Sequence, residues 1–176
     1  MRKGVIWVAA VLYIGIGIVA IGLILSAALP AIGKLKDRNT YAQTKELFFI
    51  IDENIRKVVL EGPGSQRELS PLTVSKGQFN VNETSVSWSM RTEALVVEPS
   101  DLLNKIIKKE GNVKIWQDKT GTKDEYVLNL LANYDKIKLQ VAEGSAGLPL
   151  LGTYTMLVKN TGEFDSERII VSLTIS

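Results

Sequence analysis

The sequence predicts an α+β protein: a long N-terminal helix, hydrophobic in its first half and amphipathic in its second, followed by an antiparallel β-rich head domain. Three observations predict it. Thirty consecutive residues between Lys3 and Lys34 carry no charge, and about 20 apolar residues suffice to cross a bilayer core. Beyond Lys34 the apolar residues recur at helical spacing as far as Gly62-Pro63, a helix stop. After that stop the apolar period changes to two. The expected divisions are a hydrophobic helix over 5–33, an amphipathic helix over 34–61 that packs on the head, and the head over 62–176.

The hydrophobic segment follows Met1-Arg2-Lys3-Gly4. Cations stay on the cytoplasmic side of a membrane, so the N-terminus is expected inside and the chain after about residue 33 outside. Ile, Leu, Val and Ala supply a helix whose backbone is satisfied internally. Trp7 sits where an interfacial anchor belongs. Gly15, Gly17, Gly22, Gly33, Ser26 and Pro30 interrupt the bulky residues. Gly22 and Ser26 are four apart, as are Ala27 and Ala31, a spacing that lets helix backbones approach closely. Gly and Pro are also simply common in membrane helices. Pro30 is expected to kink the helix or open its hydrogen bonding locally.

From Lys34 the pattern turns amphipathic. Leu35, Ala42 and Phe49 follow at sevenfold spacing, then Phe48, Ile51, Ile55 and Val58. Asp37, Lys45, Glu46, Asp52, Glu53, Arg56 and Lys57 are expected mostly on other faces. One helix over about 5–60 would be roughly 80 Å long at 1.5 Å per residue.

In the head, strand-like runs fall at 71–81, 84–90, 92–98, 112–117, 125–131, 136–142, 153–159 and 168–175. The last alternates most cleanly, with Ile169, Val171, Leu173 and Ile175 on one face. Asn82-Glu83 and Glu110-Gly111-Asn112 mark turns. Ser100 is placed to cap a short helix carrying Leu102, Leu103, Ile106 and Ile107. Residues 144–152 read as a loop.

Composition excludes several chemistries. The chain has 176 residues with no Cys and no His. That removes a Ser-His-Asp triad, imidazole and thiolate metal sites, a thiol nucleophile and disulfides. Without Arg2 and Lys3, 19 basic residues face 19 acidic ones, so no charge argument favours nucleic acid. Asp52-Glu53 is a poor carboxylate pair, because adjacent helical residues do not face each other. It and Asp124-Glu125 read as solvated charge. Lys105, Lys108 and Lys109 form a small basic cluster, read as a solvated face. Trp88, Trp116, Tyr126, Tyr134 and Tyr154 read as core or cross-strand residues rather than a ligand platform. No phosphate-binding glycine loop occurs, since Gly15-x-Gly17 lies inside the apolar run. The expectation is a chain that is not an enzyme and needs no cofactor or metal. Asn82-Glu83-Thr84 is the only Asn-x-Ser/Thr triplet with a permitted middle residue. It is a candidate glycan acceptor, or a chance triplet.

The order of these features, a short basic leader ending in Gly4, a hydrophobic helix directly behind it, an amphipathic continuation and a β-rich head, resembles archaeal type IV pilin-like proteins with a class III signal peptide. Glu61-Gly62-Pro63-Gly64-Ser65-Gln66-Arg67 is similar to the helix-to-sheet loop of some of them. The resemblance covers residues 1–67 closely and the rest only as a β-rich head. It implies a leader over 1–4, removed by a prepilin peptidase between Gly4 and Val5. It implies a membrane-anchored precursor with an extracellular head, taken up by a pilus assembly platform into a helical homopolymer at the cell surface. In such a filament residues 5–33 form the core, with Gly15, Gly17, Gly22, Ser26, Ala27, Pro30 and Ala31 at helix contacts, and the heads serve adhesion or surface contact. Ala9 stands where many pilins carry Glu at the fifth mature position. Alternatives stay open: a minor pilin or pseudopilin of a secretion or uptake machine, a single-pass anchored β-domain binding protein, and a secreted protein cut after Ser26-Ala27-Ala28.

Overall fold

The computed structural model describes residues 3–100, 106–122, 124–143, 145 and 149–176, with backbone alone for 3–6 and 100. One helix, α1 (Lys3–Glu61), precedes nine strands: β1 (Gln66–Asn82), β2 (Ser85–Thr92), β3 (Pro99–Ser100), β4 (Lys108–Glu110), β5 (Val113–Lys119), β6 (Tyr126–Asn133), β7 (Ile137–Val141), β8 (Leu150–Asp165) and β9 (Arg168–Ile175). The protein is α+β, as the period change predicts. The chain divides into two units, one ending at Lys36 and one spanning Asp37–Ser176.

In the first unit α1 runs through Pro30. Pro30 supplies no N–H, so the Ser26 carbonyl loses its usual helical donor. The Ser26 hydroxyl donates to the Leu23 carbonyl at 2.8 Å, which satisfies it within the helix.

The second unit is one sheet wrapped on the C-terminal part of α1. Its strand order is β3-β5-β6-β2-β1-β8-β9-β7, with β4 also on β5. The β3–β5 and β7–β9 pairs are parallel and the others antiparallel. β1 serves two neighbours: its first part pairs with β8 and its last part with β2, with register shifts between Leu69/Leu72 and Val74/Phe79. Pro71 falls in the first shift, where no ladder N–H is needed. Gly77 falls in the second, at φ 91°, where a Cβ would lie 2.5 Å from the Ser89 carbonyl oxygen and 2.7 Å from Trp88 Nε1. The sheet curls far enough for β7 to meet the β1–β2 turn: Leu139 N–H donates to the Glu83 carbonyl at 2.7 Å.

Alternation along the strands builds the core. Val86, Trp88 and Met90 of β2 join Leu128 and Leu130 of β6, Met156 and Val158 of β8, and Val171, Leu173 and Ile175 of β9. From α1 come Phe48, Ile51, Ile55 and Val58, as the helical spacing predicts. Phe48 meets Phe79 edge to face, with ring centroids 5.6 Å apart. The helix ends where expected. Gly62 adopts φ 95°, and the Val58 carbonyl, orphaned at the helix end, accepts from Ser65 Oγ at 2.6 Å and from buried Asn160 Nδ2 at 3.1 Å.

Several expectations need correction. The sevenfold series names the wrong face above Phe48: Leu35 and Ala42 are exposed and Phe49 half-buried, whereas Asp37, Thr40 and Thr44 are buried. Asp37 is held there by Lys76 Nζ at 2.6 Å. Asp52 is also buried, bonded by Arg56 Nε at 3.0 Å and Asn112 Nδ2 at 3.0 Å. The strand expected over 92–98 does not continue past Thr92. Buried Gln117 takes the role of a neighbouring strand there: its Nε2 donates to the Ala94 carbonyl at 2.8 Å and its Oε1 accepts from Val96 and Val97 N–H at 3.1 Å each. Ser100 belongs to β3, and Ile106 and Ile107 are not helical. The rest of that expected helix lies outside the described residues. The loop expected over 144–152 ends sooner, because β8 begins at Leu150.

Candidate functional site

Residues 7–35 of α1 form the most unusual surface of the protein. Sixteen large hydrophobic residues from Trp7 to Leu35 are each 51% exposed or more. Burying such side chains is worth about 1.5 kcal/mol apiece at the low end, or on the order of 20 kcal/mol together. That exceeds the typical 5–15 kcal/mol stability of a whole domain. The segment therefore needs an apolar cover of lipid or protein. By length and composition the helix is able to cross a membrane, and none of its most apolar window is buried.

The small residues are exposed too: Gly15, Gly17, Gly22, Ser26, Ala27, Pro30 and Ala31. A Cβ at Gly15, Gly17, Gly22 or Gly33 would meet nothing within 4 Å. No described residue requires glycine at these positions, although each costs about 1 kcal/mol of helix propensity relative to Ala. At about 100° per residue, Gly15, Gly22, Ser26 and Gly33 fall within about 20° of one line along the helix. Gly17, Ala20, Ala28 and Ala31 lie within about 40° of the opposite line. Ala27 and Pro30 occupy the flank between, and Trp7, Ile14, Ile18, Ile21, Leu25 and Ile32 the other flank. Where Gly15 lacks a side chain, a shallow apolar groove forms between Leu12, Ile16, Val19, Ala20 and Leu23. Gly33 is missing from the expected contact set, yet its spacing of seven from Ser26 was a usable signal. Gly4 and Val5 lie on the backbone of α1, with side chains outside the described residues.

A second surface lies on the head around Asn82, an exposed residue at the end of β1. Glu83 and Thr84 make the turn to β2. An open groove runs between residues 81–84 and 138–141. Lys138 Nζ bonds Asp165 at 2.8 Å and stands 3.8 Å from Glu83. The bond to Lys138 lowers the Asp165 pKa, and the same bond raises that of Lys138. This groove depends on the curl that returns β7 to the β1–β2 turn, which no local spacing announces.

Of the remaining sequence candidates, several are paired with neighbouring charges or buried. Glu53 pairs with Lys57 at 2.6 Å in solvent, while its neighbour Asp52 faces the head. Lys108 pairs with Glu110 at 2.8 Å, and Lys105 lies outside the described residues. Trp88 and Tyr134 are buried. Among the described residues no group of three or more Asp and Glu is placed to hold a metal ion. No protein-family model matches the chain, and no curated protein or solved structure matches it.

Proposed function

We propose that this chain is a structural subunit of a cell-surface filament of type IV pilin kind. One observation carries the reading: a charge-free helical segment, uncovered on every side, continues directly into the helix that the head's own core is built on. A membrane anchor alone needs no such continuation. Small residues on two opposite lines give each helix two different neighbours, which suits a heterologous contact that repeats without closing. In this reading the partners are other copies of the chain, with the membrane as its location before assembly. A prepilin peptidase and an assembly platform act on it, the head faces outward for adhesion or surface contact, and it carries no enzymatic activity or cofactor.

The test is the intact mass and N-terminal peptide of the native protein in a fraction sheared from the cell surface. The reading expects a chain starting at Val5 in filaments. A chain retaining Met1 and monomeric in membranes overturns it in favour of an anchored binding domain. Release into the medium at Leu29 overturns it in favour of a secreted protein.

A further inference from the structure

We infer that Asn82 is an N-glycosylation site of this protein; the inference rests on the outward-facing head proposed above. The triplet alone is weak, but the structure adds four observations to it. Asn82, Glu83 and Thr84 are all exposed. They close a tight connection between β1 and β2, a surface position of the kind acceptor triplets occupy. The turn is fixed through its main chain, where Leu139 N–H donates to the Glu83 carbonyl at 2.7 Å and Tyr134 N–H to the Thr84 carbonyl at 2.8 Å, and through the Glu83 side chain, 3.8 Å from Lys138 Nζ. Both side chains an acceptor needs, the Asn carboxamide and the Thr hydroxyl, are left to solvent.

The fourth observation is that the Asn82 carboxamide is untied among the described residues, a state it shares with Asn39, Asn80 and Asn133, none of which has Ser or Thr two residues on. The carboxamides of Asn54, Asn112, Asn129 and Asn160 are each tied by hydrogen bonds to the Ile50 carbonyl, Asp52, Asp118 and the Val58 carbonyl. No hydrogen bond to a described residue ties that of Asn82. The groove beside it, between 81–84 and 138–141, leaves space for the first sugar against polar Lys138 and Gln140.

The donor is a lipid-linked glycosyl phosphate. The Asn82 carboxamide nitrogen forms a bond to the anomeric carbon, and the bond from that carbon to the phosphate oxygen breaks. Its electron pair leaves with the lipid phosphate, and one amide proton is released.

The experiment digests the full-length protein from its native cells with trypsin and weighs the peptide 77–91. In parallel, protease is added to intact cells to report whether the head is outside. The expected result is a peptide carrying a hexose- or N-acetylhexosamine-containing increment, lost in Asn82→Gln and Thr84→Val and retained in Thr84→Ser. A bare peptide from heads that external protease cleaves overturns the glycan and leaves the filament reading intact. A bare peptide from heads that protease does not reach overturns the outward orientation, and the glycan with it. An increment that survives Asn82→Gln overturns the assignment to this residue.

Discussion

Tyr134 shows how a single buried hydroxyl contributes to the alkaline pH behaviour of the head. Its side chain is 3% exposed and its hydroxyl makes no hydrogen bond of good geometry. Burial first, then the Asp52 carboxylate, raises its pKa above the usual phenol value. The folded value lies above the unfolded one of about 10. The contribution of the neutral phenol is therefore fully present below about pH 10 and lost as pH rises beyond it. Urea unfolding followed by tryptophan fluorescence is expected to give falling stability above pH 10 in the wild type. Tyr134→Phe is expected to make that fall shallower, leaving the part due to Tyr41, whose burial also raises its pKa, and to stay within about 0.5 kcal/mol of wild type at neutral pH, because no hydrogen bond of good geometry is lost. Gly77 makes an opposite case. Its φ of 91° and the 2.5 Å approach to the Ser89 carbonyl leave no room for a Cβ. Gly77→Ala is expected to cost about 2 kcal/mol or more in the same measurement. Asn160→Leu removes one of the two donors to the Val58 carbonyl and leaves Gly162 N–H, now 3.0 Å from Asn160 Oδ1, without its acceptor. A loss of about 1–3 kcal/mol is expected there.

At the scale of elements, the two halves of α1 obey different rules. Ile55 is 0% exposed against the sheet, whereas Leu60, five residues later, is 85% exposed. Ile55→Ala is expected to cost about 2–5 kcal/mol and Leu60→Ala less than about 0.5 kcal/mol, read as a shift of the urea midpoint at constant slope. This docking face was legible in the sequence because Phe48, Ile51, Ile55 and Val58 are apolar at helical spacing. Its upper part was not. Asp37, Thr40 and Thr44 are polar, and only their partners in three dimensions, such as Lys76 for Asp37, make burial affordable. The same limit explains the strand expected over 92–98. Its residues have strand character, but the groups they bond are on the Gln117 side chain rather than on a strand. The long strands β1 and β8 were read too short because Pro71 and Gly152 look like breakers, while register shifts absorb Pro71 in the ladder. The small residues of α1 were legible as a pattern. Their grouping into two opposite lines needed the whole segment to be one helix.

For the whole molecule, the apolar segment and the head are expected to part company in solution. A chain starting at Asp37 is expected to stay in the aqueous layer of a detergent phase separation with the near-ultraviolet circular dichroism of the full chain, which enters the detergent. An aggregated truncation would show that the head depends on the segment. Gly22→Leu and Ala27→Leu add bulk to the helix surface, at Gly22 into space that no described residue uses. Both are expected to reduce filament yield in sheared fractions while membrane insertion stays intact. Equal yields would remove close helix packing from the proposal. The rim of the head bears on the same question. The strands that end the sheet are short: β7 has five residues, β4 three and β3 two. β7 is also tied to the β1–β2 turn by the Leu139–Glu83 bond. Short, tethered margins offer little template for one sheet to grow onto the next. Heads crowded side by side at very high local concentration would therefore stay separate folded bodies, and cohesion between copies would be left to the helices.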